Sequence, residues 1–115
     1  MRVFILEDDP FIALDLQAIV ESGGHEVVGV HGSLAQAREH LGQAFDFALL
    51  DIDLPDGKSF GIAAVLKERL IPFAFISGSR RGDLPAALRD VRFIAKPYAE
   101  SAVLQCLPRA HSAAA

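Results

Sequence analysis

The pair Glu7-Asp8, then Asp51, Ser77 and Lys96, stand immediately after four short apolar runs: Val3–Leu6, Phe47–Leu50, Phe73–Ile76 and Phe93–Ala95. These are the residue types that phosphoryl chemistry uses. Carboxylates held close together raise one another's pKa unless a cation neutralises them. Mg²⁺ suits such a cluster, because it takes oxygen ligands, keeps several waters and needs only one or two carboxylates. A metal so held could clamp a phosphodonor while an Asp oxygen attacks its phosphorus. Lys96 would neutralise the resulting acyl phosphate. Ser77 would donate a hydrogen bond to a phosphoryl oxygen, helped by the Gly78 backbone N–H. Each signal is weak alone, and their joint order carries the information.

The loop after the first apolar run separates this chemistry from nucleotide binding. Folds that bind a bare phosphate place glycines there, so that backbone N–H groups approach the anion. Here the loop is Glu7-Asp8-Asp9, which repels phosphate and attracts a hard cation. Asp9, followed by Pro10, reads as the cap of a helix.

The elements that must position these residues follow from the apolar spacing. Apolar runs bounded by turn residues and separated by helical patterns read as buried parallel strands. Sites in open parallel sheets form outside the carboxyl ends of the strands, so the five residues should converge on one sheet edge. After the first strand, Ile12, Leu16, Ile19 and Val20 share a helix face that ends at Gly23-Gly24. A second strand covers Glu26–Val30, and Ser33 caps a helix carrying Leu34, Ala37 and Leu41. Leu54-Pro55-Asp56-Gly57 reads as a turn after Asp51. A third helix carries Ile62, Val65, Leu66 and Leu70 and ends before Pro72. Gly78, Gly82 and Pro85 leave room for only a short fourth helix. A fifth runs from near Tyr98 to Pro108. The alternation, with right-handed crossovers, predicts a three-layer α/β sandwich.

A chain of 115 residues is one domain with one core, expected over residues 1–108, with a frayed tail at 109–115. Half of the residues (51%) are hydrophobic, which excludes disorder, and no apolar run reaches membrane-span length. Met1-Arg2-Val3 enters the first strand directly, so no secretory signal is expected. The single cysteine, Cys106, fits a reducing cytoplasm and reads as a small buried hydrophobe. A net charge of −4 argues against a nucleic-acid surface. The one basic pair is Arg80-Arg81. His25, His31, His40 and His111 show no metal-ligand spacing and read as surface residues.

Three segments together resemble the receiver domains of two-component response regulators, and the resemblance covers nearly the whole chain. Ile5-Leu6-Glu7-Asp8-Asp9-Pro10 is similar to the family's acidic-pair motif. Leu49-Leu50-Asp51-Ile52-Asp53-Leu54-Pro55-Asp56-Gly57 is similar to its phosphoacceptor motif, and Ala95-Lys96-Pro97-Tyr98 to its lysine–proline motif. The resemblance implies a flavodoxin-like five-stranded parallel sheet of order 2-1-3-4-5 with five helices. It also implies phosphorylation of Asp51 and Mg²⁺ held by Asp8, Asp51 and the backbone carbonyl of Asp53, with Glu7 acting through water. A cis Lys96–Pro97 bond is implied too, as are switch roles for Ser77 and Phe93. The implied partners are a cognate sensor histidine kinase and a phosphotransferase or downstream regulator. The implied state is a cytoplasmic monomer or weak phosphorylation-dependent dimer.

Two departures stand out. The stretch from Ser77 to Lys96 is shorter than usual, which bears on the fourth helix. Phe75-Ile76-Ser77-Gly78-Ser79-Arg80 is similar to the "FAT GUY" subgroup of stand-alone receivers, with Arg80 in place of its Tyr. With no output domain expected after Pro108, output would run through protein contacts or through relaying or draining phosphoryl groups. Two other readings compete. Asp51-Ile52-Asp53 also matches the Asp-x-Asp of haloacid-dehalogenase phosphatases, but there the motif follows the first strand, whereas here an acidic pair precedes it. A degenerate receiver acting as a phosphorylation-independent binding module would ordinarily lack the acceptor Asp or the Lys, and both are present.

Overall fold

The computed structural model describes residues 1–108. The expected tail, 109–115, and His111 lie outside the described residues. Five strands, β1 (Arg2–Leu6), β2 (Glu26–His31), β3 (Phe47–Leu50), β6 (Phe73–Ser77) and β7 (Arg92–Ala95), form one parallel sheet of order β2-β1-β3-β6-β7. Counting these five strands alone, that is the order 2-1-3-4-5. Asp53–Leu54 (β4) and Gly57–Lys58 (β5) form a separate two-residue hairpin. The expected turn at Leu54–Gly57 is its tip, and Gly57 there has φ +136°, which L side chains rarely adopt.

Alternation along the strands fills both faces of the sheet. Phe4, Leu6, Ala48, Leu50, Phe73 and Phe75 pack with helices α2 (Leu34–His40) and α3 (Phe60–Glu68). Val3, Ile5, Phe47, Leu49, Ala74 and Ile76 pack on the other face with α1 (Pro10–Ser22) and α4 (Glu100–Cys106). This period of two makes the strands continuous apolar runs, because neither face meets water. Asp9 caps α1, accepting from the N–H groups of Phe11 at 2.9 Å and Ile12 at 3.3 Å. Cys106 is buried, and burial pushes its thiol up to about 11, so it behaves as a packing residue.

Four expectations need correction. The described residues hold four α-helices, not five. In place of the fourth come two single 3₁₀ turns, Arg81–Asp83 and Ala86–Leu88. Gly82 and Pro85 leave no run long enough to nucleate an α-helix. Side chains satisfy the carbonyls that such a helix would have satisfied. Arg81 Nη1 donates to the carbonyls of Arg89 (2.7 Å) and Val91 (2.6 Å), Arg89 Nε to that of Leu84 (2.9 Å), and Lys67 Nζ to that of Ala87 (2.7 Å). Leu84 and Leu88 anchor the segment in the core, each burial being worth about 1.5–3 kcal/mol.

Leu70, expected on the buried face of the third helix, is 88% exposed with φ +60°. The helix ends at Glu68, and the chain turns there to deliver Ile71 and Phe73 to the sheet. His25 and His31, expected at the surface, are buried; His31 lies between the rings of Phe4 (4.8 Å) and His40 (4.5 Å). The fifth helix expected from near Tyr98 begins at Glu100, after an extended Ala99.

Candidate functional site

Parallel pairing brings the carboxyl ends of β1, β3, β6 and β7 to one edge of the sheet. The registers Leu6↔Leu50 and Ser77↔Ala95 place the acidic loop, Asp51, Ser77 and Lys96 side by side there. Lys96 N–H donates to the Ser77 carbonyl at 2.9 Å, carrying the ladder one residue into the site.

Asp51 is fixed from three sides. Its N–H donates to the Leu6 carbonyl at 2.8 Å, and its Oδ1 accepts from the Ile52 N–H at 2.8 Å. Its backbone carbonyl accepts from the buried Ser59 hydroxyl at 2.6 Å. The second carboxylate oxygen, Oδ2, faces Lys96 Nζ at 3.4 Å. Sequence reasoning missed Ser59, which stands before Phe60 outside any of the motifs. It occupies the cap position of α3 but turns its hydroxyl to Asp51 instead.

Glu7 is the most enclosed carboxylate, with a side chain 1% exposed. Its Oε1 accepts from Lys96 Nζ at 2.7 Å and its Oε2 from the Asp9 N–H at 3.0 Å. Burial raises the Glu7 pKa above the ordinary carboxyl value, against the lowering influence of Lys96. Burial also works to depress Lys96, but the Glu7 hydrogen bond and the Asp51 charge outweigh it and hold the ammonium above its usual range. One cation thus serves two carboxylates.

Asp8 is exposed at the mouth of the site. One oxygen each from Glu7, Asp8 and Asp51 lie within 4.8 Å of one another. Oxygens sharing an ion at 2.0–2.1 Å lie about 3–4 Å apart, so a small closure of these side chains suits a hard divalent cation. The Asp53 carboxylate is outside this cluster. It pairs with Lys58 and accepts from the Ser79 hydroxyl at 3.0 Å, and Lys58 holds its pKa below the usual carboxylate range.

Ser77 is buried, and its hydroxyl accepts from the Ser79 N–H at 3.1 Å. The Ser77–Ser79 loop is therefore closed on itself and tied through Ser79 to Asp53. Gly78 is exposed, with open space where a Cβ would sit. Phe93 is half-buried, with the Arg81 guanidinium 5.6 Å from its ring centroid. The Lys96–Pro97 peptide bond is cis. Beside it, the Tyr98 hydroxyl donates to Asp15 Oδ2 of α1 at 2.7 Å, a second contact that motif reading does not reveal.

No protein-family model matches the chain. It is 37% identical over 103 residues to the phyllosphere-induced regulator PhyR of Methylorubrum extorquens, an alignment covering 84% of this chain and 38% of PhyR. The chain thus spans well under half of that relative's length. Among solved structures, it resembles the non-phosphorylated HemR receiver domain of Leptospira biflexa, with TM-score 0.78 and 28% identity over 96% of this chain and 94% of that one. SdrG of Sphingomonas melonis aligns with TM-score 0.81 and 30% identity, covering 92% of both chains. Likeness at this identity, running over nearly the full length of both SdrG and the HemR receiver domain, settles the family and sets the phosphatase reading aside: the chain belongs to the receiver domains of two-component response regulators.

Proposed function

We propose that this receiver accepts a phosphoryl group on Asp51 from a phosphohistidine of a sensor histidine kinase, and that it signals through protein contacts rather than by turnover. One observation carries the reading: a fixed Asp51 carboxylate with Lys96 Nζ at 3.4 Å and two further carboxylates beside it. An Asp51 oxygen attacks phosphorus, the P–N bond breaks, and its electron pair returns to the donor imidazole. The product is an acyl phosphate, which water later hydrolyses to restore the carboxylate. Lys96, already poised between Glu7 and Asp51, neutralises the added oxygens. Ser77 and the Gly78 N–H donate to them.

Asp8, Asp51 and the Asp53 backbone carbonyl would hold Mg²⁺, with Glu7 acting through water. When bound, the ion neutralises charge on the phosphoryl oxygens and lets the carboxylates remain ionised together. A cytoplasmic setting fits this chemistry, and no helix among the described residues is long and apolar enough to cross a membrane.

The signal follows from the loop. As its hydroxyl turns to donate to a phosphoryl oxygen, Ser77 gives up the Ser79 N–H it accepts from and the loop is drawn inward. Phe93 then moves into the vacated space and leaves the Arg81 guanidinium. A partner reads the repacked surface of β7 and the Arg81–Leu88 segment.

The test is labelling with acetyl phosphate or beryllofluoride and Mg²⁺. Wild type should gain one adduct, and Asp51→Asn, which keeps the shape but lacks the nucleophile, should gain none. Adduct formation that survives in Asp51→Asn and in EDTA would overturn the assignment. A wild-type protein that never labels would favour the phosphorylation-independent binding module.

A further inference from the structure

Lys96 lies at the carboxyl end of β7, but nothing in that strand alone determines how far its ammonium reaches over the site. The residues after it make a further contact. Pro97 and Tyr98 lead toward α1, and Tyr98 and Ile12 are both partly buried against the core on the α1 side of the sheet. The Tyr98 hydroxyl closes on Asp15 at 2.7 Å. Ile12, Asp15, Lys96, Pro97 and Tyr98 then line a cleft of about 460 Å³. The same α1 is capped by Asp9, directly after Glu7 and Asp8. The Tyr98–Asp15 bond therefore adds a tie between the helix that follows the acidic loop and the lysine loop, beside the direct Lys96–Glu7 contact.

We infer that Tyr98 and Asp15 are positioning residues, whose hydrogen bond sets the placement of the Lys96 ammonium against the phosphoryl group on Asp51. The inference rests on the phosphoacceptor reading above. Burial and the Asp15 carboxylate both raise the Tyr98 pKa, so the phenol keeps its proton and remains the donor at neutral pH. A phenylalanine at this position would fill the same apolar space but leave the loop without its tie to α1. Small displacements of a charged group are costly where charge is being neutralised.

The experiment measures two affinities on each variant, that for Mg²⁺ alone and that for beryllofluoride in saturating Mg²⁺. Mg²⁺ is held by the carboxylates, whereas the beryllofluoride complex also needs Lys96. Tyr98→Phe and Asp15→Ala should each weaken beryllofluoride binding by about five- to tenfold, within the range of coupling between contacting groups, with Mg²⁺ affinity within about twofold of wild type. Asp15→Asn, whose amide oxygen still accepts from the phenol, should restore most of the loss. In a Lys96→Ala background, Tyr98→Phe should add nothing.

Equal losses of Mg²⁺ and beryllofluoride affinity would mean general distortion and would overturn the inference. So would an undiminished effect of Tyr98→Phe in Lys96→Ala, or unchanged beryllofluoride binding in Tyr98→Phe. If Lys96→Ala itself left beryllofluoride binding intact, the phosphoacceptor reading would fall, and this inference with it.

Discussion

Replacing Lys96 with Met removes the only cation within hydrogen-bonding reach of Glu7 among the described residues, while keeping most of the side-chain volume. At 2.7 Å the pair has a gross attraction of about 6 kcal/mol with an effective dielectric of 20. Much of that offsets the cost of removing both groups from water, and breaking a buried pair typically costs about 3–5 kcal/mol. Here Lys96 is 20% exposed, which softens the loss. Proton uptake limits it further. Neutralising Glu7 at pH 7.5 from an ordinary value of 4.5 costs at most about 4 kcal/mol, and at pH 5.0 at most about 0.7 kcal/mol.

Because the folded Glu7 pKa is raised, its contribution is fully present below 4.5 and declines as pH rises through the folded value. Without Lys96 that folded value climbs further and the decline deepens. The raised Lys96 pKa places the pair's own stabilisation below the lysine's titration range. Urea denaturation of metal-free protein should therefore show Lys96→Met less stable by about 2–3 kcal/mol at pH 7.5, but by under about 1 kcal/mol at pH 5.0. Equal losses at the two pH values, or a loss below about 0.5 kcal/mol at pH 7.5, would refute the charge-pair reasoning.

Asp8→Asn should weaken Mg²⁺ binding while changing metal-free stability by less than about 0.5 kcal/mol, since Asp8 is exposed and its repulsion is screened; calorimetric titration and melting curves check both halves. Leu70→Gly should stabilise the fold by about 0.5 kcal/mol, because Leu70 has φ +60° and is exposed, as read from urea midpoints. In hydrogen exchange with and without beryllofluoride, residues 78–90 should gain protection in wild type but not in Ser77→Ala. Asp56 accepts from the Leu34 N–H at 2.8 Å and the Ala35 N–H at 3.0 Å, so Asp56→Ala should speed exchange of those amides. These hydrogen bonds, that of Leu34 foremost, lower its folded pKa, so that difference is present above the ordinary value of 3.8 and fades as pH falls through the depressed one.

The amino-acid sequence alone determined what depends on neighbours along the chain. The caps at Asp9 and Ser33, the four apolar runs and the residue that follows each of them are local facts, legible from periodicity and turn chemistry. The expectation that the site residues meet at one edge also came from local pattern, because parallel strands joined by crossovers all end on the same side. Tertiary structure decided the rest, since side-chain partners far apart in the chain are set by packing. Ser59 gives no motif signal yet holds Asp51, and Asp56 reads as a turn residue yet accepts from the first two amides of α2. Leu70 has the spacing of a core residue but falls one turn too late, where the helix must end for Phe73 to enter the sheet. His31 carries no apolar signal, yet β2 delivers it between Phe4 and His40. The short segment after Ser77 was legible as too short for an ordinary helix. Its actual form depends on Arg81, Arg89 and Lys67 reaching carbonyls across gaps that only the folded chain closes.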